Sequence, residues 1–436
     1  VKNLTNDDVD YCIRDCEIVY KALLSVFEDI GTVKITLASI SMYIFRNNFL
    51  SENIFFSELV DDFYESYYGG RTEAFKIGKV NANLFDINSL YPFVMREMYF
   101  PDVRNLKKEI RVSVKLLHFY LKRYEGMCKV DVRHKETYFG YLPFRDVEKN
   151  KLVFPVGEFT TIVNFNELRY AIDSGNVEVL KVHYVVFSNP VESLFTYFIN
   201  THYHKRLNAT NELDGWKNKL YMNSLYGRFA MRMKNMTEYY EQIPYHIIEE
   251  LEKTEKFFNL KLFSESRDDC FLVTENEKFK NSFFAIPTFS SYITSQARIT
   301  ILDALVNNEK NGVCYCDTDS IALEGDFIGK LGKELGEFKK EKKLLIEVRG
   351  LKNYTYIDTE TNEVRETIKG VSKRAVKTGN NRYETQKYLK TKEALRRNMD
   401  AGTSIIQVKE LTNIYDKREV LPDGNTKPFF INKLTT

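Results

Sequence analysis

The segment Tyr315-Cys316-Asp317-Thr318-Asp319-Ser320 sets two carboxylates one residue apart, between apolar Val313 and Ile321-Ala322-Leu323. Such flanks predict two short strands around a polar turn. Strand alternation would send Asp317 and Asp319 to the same side of the pleat. Two neighbouring anions are costly to bury unless a cation compensates them. A divalent metal does so, and Mg²⁺ prefers carboxylate oxygens together with substrate phosphates. The same four residues also suit an ordinary solvated hairpin turn. Asp86 offers a second carboxylate, at the end of the apolar run Val80–Ile87. Aspartate is a poor residue for a strand interior, and alone it reads as a turn or cap. Asp86 and Asp319 together could hold two metals, one activating an attacking hydroxyl and the other holding a polyphosphate and its leaving group.

A third group lies in Lys219-Leu220-Tyr221-Met222-Asn223-Ser224-Leu225-Tyr226-Gly227. Helical spacing places Lys219, Asn223 and Tyr226 on one face. A lysine is a suitable point charge for phosphate oxygens. Tyr226 offers a ring for base packing, and Gly227 lets another chain approach closely. Each residue alone fits an ordinary amphipathic helix.

The elements around these residues follow from periodicity and breakers. Asn6 to Ile30 has apolar residues at helical spacing and Gly31 as a stop. Thr36 to Leu50 reads as a second helix. Val80 to Ile87 is a strand, and Ser89-Leu90-Tyr91-Pro92 turns out of it. Strand signals at Cys128–Val132, Tyr138–Leu142 and Leu152–Val156 surround a helix at Phe165–Asp173. Helices follow over Val191–Leu207, Asp214–Met231 and Pro287–Val306. Residues 232–281 lack a clear period and read as an inserted subdomain. Leu344–Ile357 is strand-like. Lys387–Asn398 and Ser404–Glu410 read as a helix and a strand.

The chain has 436 residues, enough for several lobes, and 43% hydrophobic residues. Its net charge of +2 does not announce a polyanion binder. Basic residues cluster locally, at Lys339, Lys340, Lys342 and Lys343, and at Lys369, Lys373, Arg374 and Lys377, which is also how a solvated face looks. The six cysteines form no CxxC pair, so neither a disulfide framework nor a zinc site is expected. No apolar run is long enough to span a membrane.

In their order, Asp86–Pro92 (Asp-x-x-Ser-Leu-Tyr-Pro), Lys219–Gly227 (Lys-x-x-x-Asn-Ser-Leu-Tyr-Gly) and Tyr315–Ser320 (Tyr-x-Asp-Thr-Asp-Ser) resemble the three polymerase motifs of family B DNA polymerases. Tyr67-Tyr68-Gly69-Gly70 resembles the Tyr-x-Gly-Gly signature ahead of the first motif, and Lys352-Asn353-Tyr354 the Lys-x-Tyr motif after the third. The long spacing after Pro92 and residues 232–281 match the two insertions of the protein-primed group, found in bacteriophages and in linear mitochondrial plasmids. Lys417-Arg418 beside a Pro-Asp-Gly turn resembles the plasmid branch.

The resemblance implies an α/β (α+β) fold with a right-hand palm, fingers and thumb, preceded by the tail of a ribonuclease H-like exonuclease domain. It divides the chain into an exonuclease remnant (1–60), palm with first insertion at 100–190 (61–200), fingers (201–231), second insertion (232–281), palm (282–360), and thumb with C-terminal tail (361–436). Asp86 and Asp319 would bind two Mg²⁺ (Mn²⁺ substituting), assisted by the Ile87 carbonyl, with Asp317 an acidic neighbour needed for activity. Ser89, Leu90, Tyr91, Lys205, Lys219, Asn223 and Tyr226 would bind the deoxynucleoside triphosphate, Tyr91 rejecting a ribose 2′-hydroxyl. Tyr67, Gly69, Gly70, Arg71, Ser224, Gly227, Thr318, Lys352 and Tyr354 would contact primed DNA. Of the basic residues near the fingers, His204 and Arg206 are as available as Lys205. Tyr11 and Asp15 match the last exonuclease motif, but no Asp-x-Glu precedes them, so no exonuclease activity is expected of this chain. The expected partners are primed DNA, deoxynucleotides and a terminal protein, without a membrane, in a mitochondrion or a virus-infected cytoplasm. The alternative is a truncated, non-catalytic remnant that still binds primed DNA.

Overall fold

The computed structural model describes residues 6–32, 34, 36–146, 151–233, 237–240, 259–262, 270–275, 280–281, 284–372, 375–379, 381–389, 403–411 and 414–434. Its centre is a seven-stranded antiparallel sheet. The strands are β1 (Thr72–Ala74), β2 (Gly78–Ile87), β3 (Val313–Asp317), β4 (Ser320–Leu323), β5 (Phe338–Gly350), β6 (Asn353–Asp358) and β7 (Val364–Ile368). They lie side by side in the order β1-β3-β4-β2-β5-β6-β7. β2 is therefore central, pairing with β4 on one side and β5 on the other. Alternation along β2 gives the sheet two apolar faces. Val80, Ala82 and Leu84 pack with Ala322, Leu345 and Val348, whereas Phe85 and Ile87 join the main core.

The helix Pro287–Asn307 lies in that main core and is buried almost all round, including Ser290, Ser291 and Ser295. Buried hydroxyls need partners. Ser291 Oγ donates to the Ser66 carbonyl at 3.0 Å, and Asn164 donates to Ser291 and Ser295 at 2.8 and 3.2 Å. Arg298, fully buried, makes a two-pronged ion pair with Glu167 at 2.7 and 2.8 Å.

Four strands within residues 100–190 and one from the end of the chain form a second sheet, ordered Phe430–Lys433, Val156–Asn164, Glu125–His134, Val177–Ser188, Lys107–Ile110. It is antiparallel except for the parallel entry of Phe430–Lys433 from the end of the chain. The helices Val114–Arg123 and Phe165–Asp173 pack with it. Within 232–281 the described strands Thr237–Tyr240, Cys270–Glu275 and Asn259–Leu262 pair antiparallel. The rest of that expected subdomain lies outside the described residues, as do Lys373, Arg374 and most of the expected helix Lys387–Asn398.

Several sequence expectations are corrected. Ser89–Pro92 is no simple turn: Leu90–Glu97 is a helix, and Pro92 sits in its first turn, where a missing N–H costs nothing. Tyr138–Leu142 is not a strand; its Phe139 and Leu142 are buried in a loop. The helix expected from Val191 begins at Thr196. Asp214–Met231 is two helices, Glu212–Ser224 and Tyr226–Phe229, interrupted at Leu225. Leu344–Ile357 belongs to two strands, β5 and β6, joined by a turn at Leu351-Lys352. The helix Asn6–Ile30 forms as expected, but its apolar residues Ile13, Tyr20 and Leu23 are exposed. Among the described residues, no helix is long and apolar enough to cross a membrane.

Candidate active site

Strand register brings Asp86 and Asp319 together. Ser320 at the start of β4 pairs with Asp86 near the end of β2, so Asp319, one residue earlier, stands beside Asp86. The Ile87 N–H donates to the Asp319 carbonyl at 2.8 Å and locks that register. The Ile87 side chain is buried, so only its backbone faces the site. Asp86 and Asp319 are both partly exposed. Burial and the nearby charges of Asp86 and Asp317 push the Asp319 carboxyl up to about 6. Burial also pushes Asp86 up, against the pull of Lys339 and with Glu341 adding to the rise. Lys339 is the strand partner of Asp86 on β5, with Nζ 3.4 Å from it, but it also pairs with Glu341 at 2.9 Å. The carboxylate pair is thus under-compensated by the protein's own cations. A pair of hard oxygen donors in mutual repulsion fits a divalent cation. Among the described residues, no three His, Cys, Asp or Glu side chains form a metal-holding group by themselves.

Asp317 ends β3 on the other side of the same turn, close enough for its charge to raise the Asp319 carboxyl. Asp317 and Ser320 face each other across the β3–β4 hairpin, leaving Thr318 and Asp319 as a two-residue turn. The Asp319 N–H donates back to the Asp317 carbonyl at 2.6 Å, closing a three-residue turn around Thr318, whose φ is +63°. Strand alternation does not survive such a turn. The Asp317 carboxylate accepts from the Tyr315 hydroxyl at 3.3 Å and pairs with Lys352 Nζ at 3.3 Å. The Lys352 N–H in turn donates to the Tyr315 hydroxyl at 3.0 Å, and the rings of Tyr315 and Tyr354 lie 5.6 Å apart. Lys352 and Tyr354 are thereby tied to the acidic turn. A β-branched residue at positive φ is strained, and such strain gathers at functional sites. Ser89, Thr318 and Lys352 all have positive φ, and all three border this site.

The turn rests on the Tyr67–Gly70 segment. The Thr318 N–H donates to the Arg71 carbonyl at 2.7 Å, and Gly70 lies directly against Thr318. The Tyr68 and Gly69 carbonyls each accept from Arg298 at 3.0 Å. Sequence reasoning missed Arg298 and Glu167; a charged pair between two helices more than a hundred residues apart carries no local signal. Arg71 is corrected. Its side chain is 1% exposed, pairs with Glu73 at 2.5 Å and donates to the Gly140 carbonyl at 2.8 Å, so it is not presented to a nucleic acid.

Opposite the carboxylates, the rings of Tyr91 and Tyr226 lie 4.3 Å apart, tilted by 32°. Their hydroxyls share a hydrogen bond, and burial pushes both phenols up. Tyr67 is close enough for the two phenols to interact, and its own is pushed up to about 12, chiefly by burial. Lys219 is exposed, and its charge reaches Asp86. Asn223 is partly exposed one turn further along the same helix, and Gly227 is exposed with open space where a side chain would stand. Ser224 points elsewhere: its hydroxyl donates to the Leu220 carbonyl at 2.6 Å and meets Ser41 at 2.7 Å, on the neighbouring helix Leu37–Asn48. Leu90 is buried, leaving only its backbone to the site. Arg206, not Lys205, reaches the site, with Nη1 3.2 Å from Ser89 Oγ. Lys205 lines a separate cleft of about 530 Å³ with Asp29, His202 and Lys217. Tyr11 and Asp15 are exposed on the Asn6–Ile30 helix.

Residues 1–324 match the family model described as DNA polymerase type B, organellar and viral. The chain belongs to that family. Its curated relatives include a "Probable DNA polymerase" of Podospora anserina, 28% identical over 351 residues, which cover 72% of this chain and 28% of that protein. A "DNA polymerase" of Streptococcus phage Cp-1 is 23% identical over 341 residues, covering 72% of this chain and 54% of the phage protein. The chain therefore spans between about a quarter and about half of these type B polymerases. The fold matches that of Phi29 DNA polymerase complexed with primer-template DNA, with TM-score 0.64 and 19% identity over 85% of this chain and 66% of that one. The mixed helix and strand architecture is thus that of the Phi29 enzyme.

Proposed function

We propose that this chain catalyses DNA-templated addition of deoxynucleotides to a primer 3′-hydroxyl, with two Mg²⁺ ions. The observation that carries this reading is the pairing of Asp86 with Asp319, under-compensated in charge and facing Tyr91, Tyr226 and Lys219. Family membership and the Phi29-like fold support it. Bound metals would lower the barrier to attack by the 3′-hydroxyl and stabilise the leaving pyrophosphate. Asp86 and Asp319 would hold them. Lys219 and Arg206 draw the triphosphate to the site. Tyr91, propped by Tyr226, excludes a 2′-hydroxyl beneath the sugar. Asp317 anchors Lys352 and Tyr354, which grip the primer strand, while Gly69, Gly70, Gly227 and Thr318 leave room for the duplex.

In the same reading the central sheet is the palm, the helices of 196–229 the fingers, and the second sheet the first insertion of a protein-primed enzyme. The partners are primed DNA, deoxynucleotides and a terminal protein, and the setting is a linear plasmid of a mitochondrion or a viral genome. Primer extension by the purified chain, beside Asp319→Ala, tests the reading. Extension abolished by the substitution supports it. Binding of primed DNA without extension by the unsubstituted chain favours a non-catalytic DNA-binding protein.

A further inference from the structure

The segment from Tyr415 to Lys433 lies along β1, the outermost strand of the central sheet on the side of the Asp317–Asp319 turn. An edge strand leaves backbone groups unpaired unless something covers it. Here the covering is specific. The Ala74 N–H donates to the Tyr415 hydroxyl at 2.9 Å, and Thr426 Oγ1 donates to the Ala74 carbonyl at 2.9 Å. The Thr426 N–H donates to the Phe75 carbonyl at 2.9 Å, and the Ile77 N–H to the Gly424 carbonyl at 2.7 Å. Gly424, at φ +86°, lies where a Cβ would be 2.4 Å from the Ile77 carbonyl oxygen. The segment then ends as the parallel strand Phe430–Lys433 in the second sheet. It is a strap across both sheets.

The strap carries one fully buried charge, Arg418. Its guanidinium pairs with Glu73 Oε1 at 3.2 Å and donates to Thr426 Oγ1 at 2.8 Å and to the Tyr138 carbonyl at 2.7 Å. The other oxygen of Glu73 holds Arg71 at 2.5 Å. Glu73 is also the strand partner of Cys316, next to Asp317, and the Arg71 carbonyl receives the Thr318 N–H. One continuous path of ion pairs and hydrogen bonds therefore runs from the strap to the strained turn that carries Asp319. Such a path costs desolvation of three charges. A hydrophobic contact would cover the edge as well, but it would not fix the turn in register.

We propose that Arg418 is a positioning residue for catalysis: through Glu73 and Arg71 the strap sets where the Asp317–Asp319 turn stands. This rests on the polymerase reading above. Arg418 touches no substrate in this scheme, so its loss acts on the chemical step and on metal binding, and spares substrate affinity.

The test compares the full chain with Arg418→Met, Arg418→Lys and Thr426→Val in single-nucleotide insertion on primed DNA across a Mg²⁺ titration, with thermal melting of each. Arg418→Met leaves Arg71 and Glu73 as a matched pair, so no buried anion is stranded. The expected result is a cooperative melt, kcat down about tenfold, a raised half-saturating Mg²⁺ concentration, and nucleotide KM and DNA Kd within about twofold. Arg418→Lys recovers part of the loss. Thr426→Val, nearly isosteric, lowers kcat by about threefold, and it decides the matter if Arg418→Met fails to fold. A folded Arg418→Met, or failing that Thr426→Val, with unchanged kcat and Mg²⁺ dependence overturns the proposal. So does a loss of kcat, KM and DNA affinity together in proportion to the unfolded fraction. No extension by the unsubstituted chain defeats the polymerase reading itself, which is a separate result.

Discussion

A methyl group on Gly70 would stand 2.8 Å from Cγ2, 3.0 Å from Oγ1 and 3.2 Å from Cα of Thr318. The last contact is to backbone, so no rotation of the threonine side chain relieves it. Thr318 is already held at φ +63°, and its neighbour Asp319 must stand beside Asp86. Gly70→Ala is therefore expected to lower primer extension by about 10- to 100-fold, through displacement of the turn. Gly227→Ala meets open space, sits in a helix and should raise stability by about 0.5–1 kcal/mol. Melting curves and extension assays on both variants separate the two effects. A Gly70→Ala protein with full activity would show that the turn tolerates the shift.

The burial of Asp319, with the charge of Asp86 beside it, predicts a pH signature in metal-free protein. The Asp319 carboxyl is raised to about 6, above its unfolded value, so the folded state holds that proton more tightly. Stability from this group is present at low pH and is lost as pH rises from about 4 through about 6. The loss is of order 3 kcal/mol, which Asp319→Asn should remove. Urea denaturation in chelator at pH 4.5 and pH 7 measures about 2 kcal/mol of it, the part that falls between those two pH values. An unchanged pH dependence in Asp319→Asn would place the destabilisation elsewhere.

Tyr91 and Tyr226 support one another, ring on ring and hydroxyl to hydroxyl. In the proposed polymerase reading, trimming Tyr91 to alanine opens the space that would exclude a 2′-hydroxyl. Discrimination against ribonucleotides should fall by about 10- to 200-fold, the range a small steric difference commands. Tyr226→Phe keeps the ring and should lose only a small part of it. Competing incorporation of ribo- and deoxynucleotides gives the ratio. Equal discrimination in Tyr91→Ala and the parent would remove Tyr91 from this role.

Arg298 couples the long core helix to the Tyr67–Gly70 segment. Arg298→Met leaves Glu167 as an unpaired anion at 3% exposure. The expected cost is about 3–5 kcal/mol, much of it recovered in Arg298→Met/Glu167→Leu, where no charge is stranded. Denaturant midpoints of the single and double variants check this. If the double variant is no more stable than the single, the loss comes from the freed Tyr68 and Gly69 carbonyls instead.

Much of the local structure was legible in the residues themselves. The spacing of apolar side chains placed the helices at 6–30 and 165–173, and polar residues between apolar runs placed the β3–β4 hairpin. These features depend on neighbours within one or two turns of chain. The helix break at Leu225 and the helix after Ser89 were not legible, because each is settled by packing: Leu225 is buried, and Ser89 is held at φ +52°. The residue types of Asp86, Asp319, Tyr91, Lys219 and Tyr226 nominated a site before any coordinates did.

Sequence alone thus determined which side chains could do chemistry, since that follows from their functional groups and spacing. Tertiary structure alone decided which of them meet. Register across β2 and β4 joined Asp86 to Asp319, and the tight turn at Thr318 sent Asp317 to Lys352. Helix orientation gave Arg206 to Ser89 and turned Lys205 and Ser224 away. Burial removed Arg71 from solvent and joined it, through Glu73, to Arg418, more than 300 positions along the chain. The physical reason is the same throughout. A contact between distant residues depends on strand register and shared burial, and neither is a property of any one stretch of sequence.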